Sequence, residues 1–205
     1  TVFAGRGAPL AFTDEVEVTE DIAKTISFVG FDADNAFSEN ASVTITQQPF
    51  NGALDNEFVL IENGVDKLAH WTLIYTPELD FSVTDTIKFI VNNPDNPESE
   101  SGEATISITV NAVNDMPTIS AVGDTTIVED GSLILNVEAI DADNSLTLSH
   151  ASNNANFVTS WENDTLSVIP NPNYSGTATI TVTATEDGGE NAQISESFNV
   201  IVTPV

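Results

Sequence analysis

Residues Val18 to Asn35, V-T-E-D-I-A-K-T-I-S-F-V-G-F-D-A-D-N, have a counterpart at Val128 to Asn144, V-E-D-G-S-L-I-L-N-V-E-A-I-D-A-D-N. In both stretches an acidic turn precedes alternating apolar and polar residues, and D-A-D-N follows. Glu20 and Glu129 are 109 positions apart, as are the first aspartates of the two D-A-D-N motifs. Alternation with a period of two is typical of strands with one buried face, and a fixed repeat distance indicates tandem copies of one unit.

The repeat continues with a shorter period in the second half of each copy. L-I-Y-T-P ends at Pro77 and L-S-V-I-P ends at Pro170, a separation of 93 residues. The first copy is therefore predicted to carry an insertion in its middle. Asn51-Gly52 and Asn63-Gly64 supply hairpin turn chemistry in that segment.

The length of 205 residues accommodates two β-sandwiches of about 100 residues each. Each copy contains about seven short alternating segments separated by Gly, Pro, Asn and Asp, and no segment has helical periodicity. We therefore predict an all-β fold of two tandem antiparallel Greek-key β-sandwiches, spanning residues 10–113 and 114–205. The junction Asn114-Asp115-Met116-Pro117 is short, which favours a stiff connection.

Composition excludes several classes of function. The chain has 4 Lys plus Arg and 32 Asp plus Glu, a formal net charge of −28, so nucleic acid is excluded as a partner. This charge indicates an acidic solubility surface, bound divalent cations, or both. The absence of cysteine excludes disulfides and thiol-based metal sites. No run of 18 apolar residues exists, so we expect no membrane insertion, and targeting signals are expected elsewhere in a longer protein.

The acidic residues concentrate in predicted turns near the junction. The turn that contains Glu20 and the linker Asn114-Asp115 are expected at the lower end of copy one. Asp141, Asp143 and Asp187 are expected in turns at the upper end of copy two. Oxygen atoms of this kind are the ligands that Ca²⁺ prefers, and we expect the two sets to share a cation. The alternative is that each Asp caps its own turn through backbone hydrogen bonds.

These residues resemble the calcium motifs of cadherin repeats. The ordered set N-D-x-P, V-E-D-G, D-A-D-N and T-I-T-V-T also resembles the bacterial cadherin-like (immunoglobulin-like) repeats of large secreted adhesins and of some polysaccharide-degrading enzymes. The resemblance covers nearly the whole chain. It implies an extracellular location, secreted or at the cell surface, with Ca²⁺ as cofactor and neighbouring repeats of the same chain as partners. It also implies the metal ligands Glu20, Asn114, Asp115, Asp141, Asp143 and Asp187.

Three further positions, Asp32, Asp34 and Asp85, are weaker candidates for metal ligands because they match the family pattern less well. Asp32 and Asp34 form the D-x-D motif of copy one, but Arg6-Gly7-Ala8-Pro9 stands where the linker Asn-Asp is expected, so this site is predicted to be impaired. Asp85 lies in a predicted turn outside the family's spacing.

The leading hypothesis is a calcium-rigidified spacer or adhesion segment of a bacterial surface or secreted protein, and not an enzyme. His70 and His150 are the only histidines, and no G-x-S-x-G or H-E-x-x-H motif occurs. The alternative is a carbohydrate-binding or homophilic module whose partner is a glycan or a cell-surface protein. Trp71 and Trp161 would stack on sugars if exposed, or fill the core if buried.

Overall fold

The structure is a computed structural model that describes residues 7–33, 37, 39–55, 57–63, 67–96, 98–162, 165–188 and 191–205. For residues 62 and 63 only the backbone is described. The chain divides into two compact units, Thr1–Val113 and Asn114–Val205, which we call the first and second domains.

The first domain is built from two facing sheets. One sheet has the order β1-β3-β7-β5, with β6 also paired to β7, and the other has the order β2-β9-β8-β4. The strands are β1 Leu10–Ala11, β2 Asp14–Thr19, β3 Lys24–Phe31, β4 Ser42–Gln47, β5 Gly52–Leu54, β6 Val59–Asn63, β7 Leu68–Pro77, β8 Thr84–Asn92 and β9 Ala104–Asn111.

The alternating sequence of these strands places every second side chain in one core. Phe28 of β3 and Phe89 of β8 are fully buried and meet edge to face, with ring centroids 5.0 Å apart. Trp71 of β7 is 2% exposed and packs edge to face against Phe37. Burial of large apolar side chains from both sheets is the main stabilising contribution to such a sandwich.

The second domain has the same plan, and its two longest strands, β17 and β18, have 11 residues each. Its sheets are β11-β18-β17-β14 and β12-β16-β15, and β10 pairs with β13. The strands are β10 Thr118–Ile119, β11 Thr125–Val128, β12 Leu133–Asn136, β13 Ala139–Ile140, β14 Leu146–Ser152, β15 Phe157–Glu162, β16 Thr165–Pro170, β17 Gly176–Glu186 and β18 Gln193–Thr203. The core is formed by inward-facing residues of both sheets, with Leu166, Val168, Ile180, Val182 and Val200 fully buried.

The first two short strands of each domain belong to different sheets, a division that the sequence did not predict. In the first domain β1 pairs antiparallel with β3, whereas β2 pairs parallel with β9. In the second domain β10 pairs antiparallel with β13 and β11 pairs parallel with β18. Among the described strands, each sandwich is thus antiparallel except for one parallel pair, because the entering strand is divided between both sheets.

The predicted fold class, two tandem all-β sandwiches, is confirmed. The described residues contain no α-helix. Within those ranges, no helix has the length and apolar character required to cross a membrane.

Candidate metal site

Glu20 lies directly after β2 at one end of the first domain and is 1% exposed. Its Oε1 accepts a hydrogen bond of 2.6 Å from the backbone N–H of Val113, and its own N–H donates to the carbonyl of Asn111 at 3.0 Å. Its Oε2 is buried and has no hydrogen-bond partner among the described residues. A buried carboxylate with one unsatisfied oxygen is unfavourable unless a cation or donor completes it.

Asp21 and Asp80 lie at the same end of the first domain. Both adopt positive φ angles, 59° and 57°. The backbone N–H of Asp80 donates to Asp21 Oδ1 at 3.1 Å. A carboxylate oxygen of Asp21 lies within 4.8 Å of one from Asp80, so this end of the domain has high negative charge density.

In the second domain, Asn114 and Asp115 are held against two loops of their own domain. Asn114 Nδ2 donates to Glu186 Oε1 at 3.0 Å, and Asn114 Oδ1 accepts from Asn144 Nδ2 at 2.9 Å. The backbone N–H of Asp115 donates to Asp143 Oδ2 at 2.9 Å. The structure therefore brings the predicted ligands Asn114, Asp115 and Asp143 together within this domain.

Asp141 organises the loop that follows β13. Its Oδ1 accepts the backbone N–H groups of Asp143 at 2.9 Å and Asn144 at 2.6 Å, which is the turn-capping role of an aspartate. Its Oδ2 is buried and has no hydrogen-bond partner among the described residues. Turn capping thus uses only one of the two oxygens of Asp141. Near this turn, Asp115 and Asp143 carry carboxylate oxygens within 4.8 Å of each other.

Glu186 is a member of this group that sequence reasoning missed. It ends β17, is 2% exposed, and accepts hydrogen bonds from Asn114 Nδ2 and from the backbone N–H of Ala192. The alternation along β17 places Glu186 on the buried face, which is a signal that the sequence contained. The predicted ligand Asp187 is exposed and accepts hydrogen bonds from the hydroxyls of Thr147 and Ser145.

The second domain has no lysine or arginine to neutralise these carboxylates. All four Lys and Arg residues, Arg6, Lys24, Lys67 and Lys88, precede residue 114. Residues 114–205 contain thirteen Asp and Glu residues. The oxygen donors at the N-terminal end of the domain fit a hard divalent cation such as Ca²⁺, which takes six to eight oxygen ligands.

Of the three weaker candidates, Asp85 forms its contacts with protein donors. It is 2% exposed and accepts the backbone N–H groups of Phe50, Asn51 and Thr86 at 2.7–2.9 Å. The Tyr75 hydroxyl donates to it at 3.1 Å. Burial, followed by the nearby Asp85 carboxylate, raises the pKa of Tyr75 above its ordinary value. These contacts make Asp85 a structural carboxylate of the first domain.

The other two weaker candidates belong to the D-x-D motif of the first copy. Asp32 is 1% exposed and accepts hydrogen bonds from the side-chain amides of Asn93 and Asn96. Asp34 lies outside the described residues.

The far end of the second domain repeats the Glu20 arrangement. Glu129 Oε1 accepts the backbone N–H of Val205 at 3.0 Å, as Glu20 accepts that of Val113. The sequence repeat therefore extends to individual hydrogen bonds.

The tryptophans do not form an exposed platform. Trp71 is buried, so it cannot stack on a sugar, and Trp161 is partly buried against the core of the second domain. The histidines are both partly buried on strands, and His150 Nδ1 lies 2.9 Å from the Thr159 hydroxyl.

Comparison with known proteins agrees with this architecture. The bacterial Ig domain family matches residues 6–111 and 114–199. Human mucin-like protocadherin EC1-2 aligns over 96% of this chain and 98% of its own, with 15% identity and a TM-score of 0.51. Protocadherin gamma C5 EC1-3 aligns over 95% and 68%, with 16% identity and a TM-score of 0.54. Human CDH23 EC21-23 aligns over 96% and 70%, with 16% identity and a TM-score of 0.55.

At these identities the similarity to cadherin repeats shows the fold alone. The chain also matches two endo-fucoidan hydrolases, spanning 30% of their length at TM-scores of 0.36 and 0.37, which carry no argument about activity. No curated protein matches the sequence. The predicted relationship to bacterial immunoglobulin-like, cadherin-like repeats is confirmed.

Proposed function

Because the chain belongs to the bacterial Ig domain family, we propose that it is a calcium-binding repeat module of an extracellular surface or secreted protein. In this proposal it is a spacer or adhesion segment and not an enzyme. Its partners are Ca²⁺ and neighbouring repeats of the same chain.

The observation that carries the proposal is that the buried carboxylate oxygens Glu20 Oε2 and Asp141 Oδ2 have no hydrogen-bond donor in the part of the chain that the structure describes. Leaving a buried charged oxygen unsatisfied is strongly unfavourable, and a bound cation removes this penalty. In the same domain, carboxylate oxygens of Asp115 and Asp143 lie within 4.8 Å of each other, and the backbone N–H of Asp143 donates to Asp141.

The chemistry of the donors favours calcium over other metals. The groups are carboxylate and amide oxygens, without cysteine or histidine, which excludes the usual ligand sets of zinc and copper. Calcium accepts irregular sets of oxygen ligands, whereas Mg²⁺ demands near-ideal octahedral geometry and retains several waters.

Calcium at these positions would stiffen the polypeptide around residues 113–115. Val113 is tied to Glu20 of its own domain, while Asn114 and Asp115 are tied to Glu186 and Asp143 of theirs. In each domain taken separately, a cation that neutralises the carboxylates would hold that domain's own contacts in place. Without it, repulsion between carboxylates would loosen them, at about 1 kcal/mol per close pair in water.

Isothermal titration calorimetry with Ca²⁺ tests the proposal. Asp141→Asn retains an oxygen for turn capping but removes the charge, so we expect Ca²⁺ affinity to fall at least about tenfold, a loss of about 1.4 kcal/mol. Asp124→Asn is the matched control, because Asp124 is an exposed carboxylate of the same domain bound by Asn199. Absence of Ca²⁺ binding to the wild-type chain, or equal affinity in Asp141→Asn, would contradict the proposal.

A further inference from the structure

The N-terminal end of the first domain contains a buried carboxylate that is held by side-chain amides. Asn93 Nδ2 and Asn96 Nδ2 donate to Asp32 Oδ2 at 2.8 and 3.0 Å. Asn96 Nδ2 also donates to the Gly7 carbonyl at 2.8 Å. Asp32, Asn93 and Asn96 are all at most 3% exposed, so this amide clamp is part of the domain interior.

A lysine adds positive charge to the same end. The backbone N–H of Asp32 donates to the Lys67 carbonyl at 3.1 Å, and Lys67 Nζ donates to the carbonyl of Ala33. Lys67 is one of only four basic residues in the chain. This hydrogen bond tethers an ammonium group to the residue after Asp32 and so places a fixed positive charge at this end of the domain.

The matching end of the second domain has the opposite chemistry. Asn93 follows β8 and Glu186 ends β17, and both face the domain interior. An asparagine can donate to a carboxylate, whereas an ionised glutamate can only accept. Residues 114–205 also contain no lysine that could replace Lys67.

We propose that Asn93, Asn96 and Lys67 make the N-terminal end of the first domain independent of metal, so that calcium dependence resides at the N-terminal end of the second domain. Asn93 is the residue that sets this difference, since a donor at its position satisfies Asp32 directly. The inference rests on the proposed calcium binding for its second half, while the amide clamp is tested separately. The competing possibility is a cation at Asn93 Oδ1, which has no donor among the described residues.

Hydrogen exchange measured by mass spectrometry on the whole chain, in Ca²⁺ and in chelator, separates these possibilities. For segments 26–33 and 91–101, we expect the exchange rate in Ca²⁺ and the exchange rate in chelator to be equal within about twofold. Exchange in segments 139–147 and 185–193 should slow by up to about a hundredfold at a Ca²⁺ concentration one hundred times the Kd. Calcium-dependent protection of 26–33 and 91–101 would overturn the inference. Lack of response in the second domain alone would instead overturn the proposed function.

Two substitutions at one position test the role of Asn93. Asn93→Asp places a second carboxylate against Asp32, so in chelator we expect exchange in 91–101 to accelerate, and Ca²⁺ to slow it again by about tenfold or more. Asn93→Ala is the matched control, because it loses the donor without adding charge and should exchange equally fast in both conditions. If Asn93→Asp responds to Ca²⁺ no more than Asn93→Ala, the inference is wrong. If neither variant folds, the wild-type exchange measurement still decides.

Discussion

At the scale of single residues, the carboxylates of Asp85 and Asp141 differ in how completely they are hydrogen-bonded. Asp85 is satisfied by three backbone N–H groups and the Tyr75 hydroxyl, whereas Asp141 uses only one oxygen for its turn. Sequence reasoning identified both as acidic loop residues. It ranked Asp85 as the weaker candidate from its spacing but could not predict its structural role, because two donors of Asp85, Phe50 and Asn51, lie 35 and 34 positions away.

We predict that Asp85→Asn destabilises the first domain by about 3 kcal/mol. The side-chain amide introduced at position 85 would point its N–H groups at the backbone N–H groups that now bind the carboxylate. Those buried backbone donors would then lack an acceptor. Urea denaturation of the whole chain measures the change. Glu103→Gln is the control, since Glu103 forms an exposed ion pair with Lys88 and its loss should leave stability close to that of the wild type. Equal stability of Asp85→Asn and wild type would refute the structural role of this carboxylate.

The buried Tyr75 hydroxyl should make the stability of the first domain sensitive to high pH. Burial raises the pKa of the folded tyrosine above the value of about 10 in the unfolded chain. The contribution of the protonated Tyr75 hydroxyl to the free energy of unfolding is therefore fully present below about pH 10. It is lost as pH rises further, because only the unfolded state then releases the proton. We expect a loss approaching about 1.4 kcal/mol per pH unit above pH 10.

Unfolding of wild type and Tyr75→Phe at pH 8 and pH 11 measures this effect. The variant should lose less stability between the two pH values than the wild type does. A Tyr75→Phe variant with an unchanged pH dependence would contradict the assignment.

At the scale of strands, alternation and turn motifs predicted much of the architecture. The repeated alternating segments correspond to β3 with β12 and β7 with β16. The hairpin turn predicted at Asn51-Gly52 is wrong, because β4 pairs with β8 whereas β5, which begins at Gly52, pairs with β7 of the other sheet. The division of the entering strand was not predictable from alternation. The partners of β1 and β2 are distant strands of different sheets, and nothing local in residues 10–19 specifies that choice.

Gly52 provides a test of packing at this scale. A Cβ atom at Gly52 would lie 2.4 Å from the Tyr75 ring, so Gly52→Ala requires the ring or β5 to move. We expect a loss of about 1–3 kcal/mol, typical of overpacking. Gly102→Ala is the matched control, because no atom lies within 4 Å of its added methyl group. Denaturation midpoints that are equal for the two variants would show that the Gly52 contact is not restrictive.

At the scale of the whole molecule, net charge and repeat order predicted two acidic β-sandwiches with polar loops that carry the candidate ligands. The predicted ligands were Glu20, Asn114, Asp115, Asp141, Asp143 and Asp187. Hydrogen bonds within the second domain link Asp115, Asp143 and Asp141, whereas Asp187 accepts from the hydroxyls of Ser145 and Thr147. Glu186 was missed because β17 was interpreted as a strand that ends in a turn, without following which face its last residue occupies. Metal occupancy depends on ion concentration and on exact oxygen positions, neither of which a sequence pattern specifies.

The central claim is that calcium stabilises the second domain through its N-terminal carboxylates. The most direct measurement follows thermal unfolding by Trp161 fluorescence in a Trp71→Phe chain, whose only remaining tryptophan reports on that domain. Samples contain Ca²⁺ at one hundred times the Kd, or chelator with NaCl at equal ionic strength, which controls for screening. We predict stabilisation by about 2.7 kcal/mol in Ca²⁺, and its loss in Asp141→Asn. Identical unfolding curves in Ca²⁺ and chelator would contradict the account.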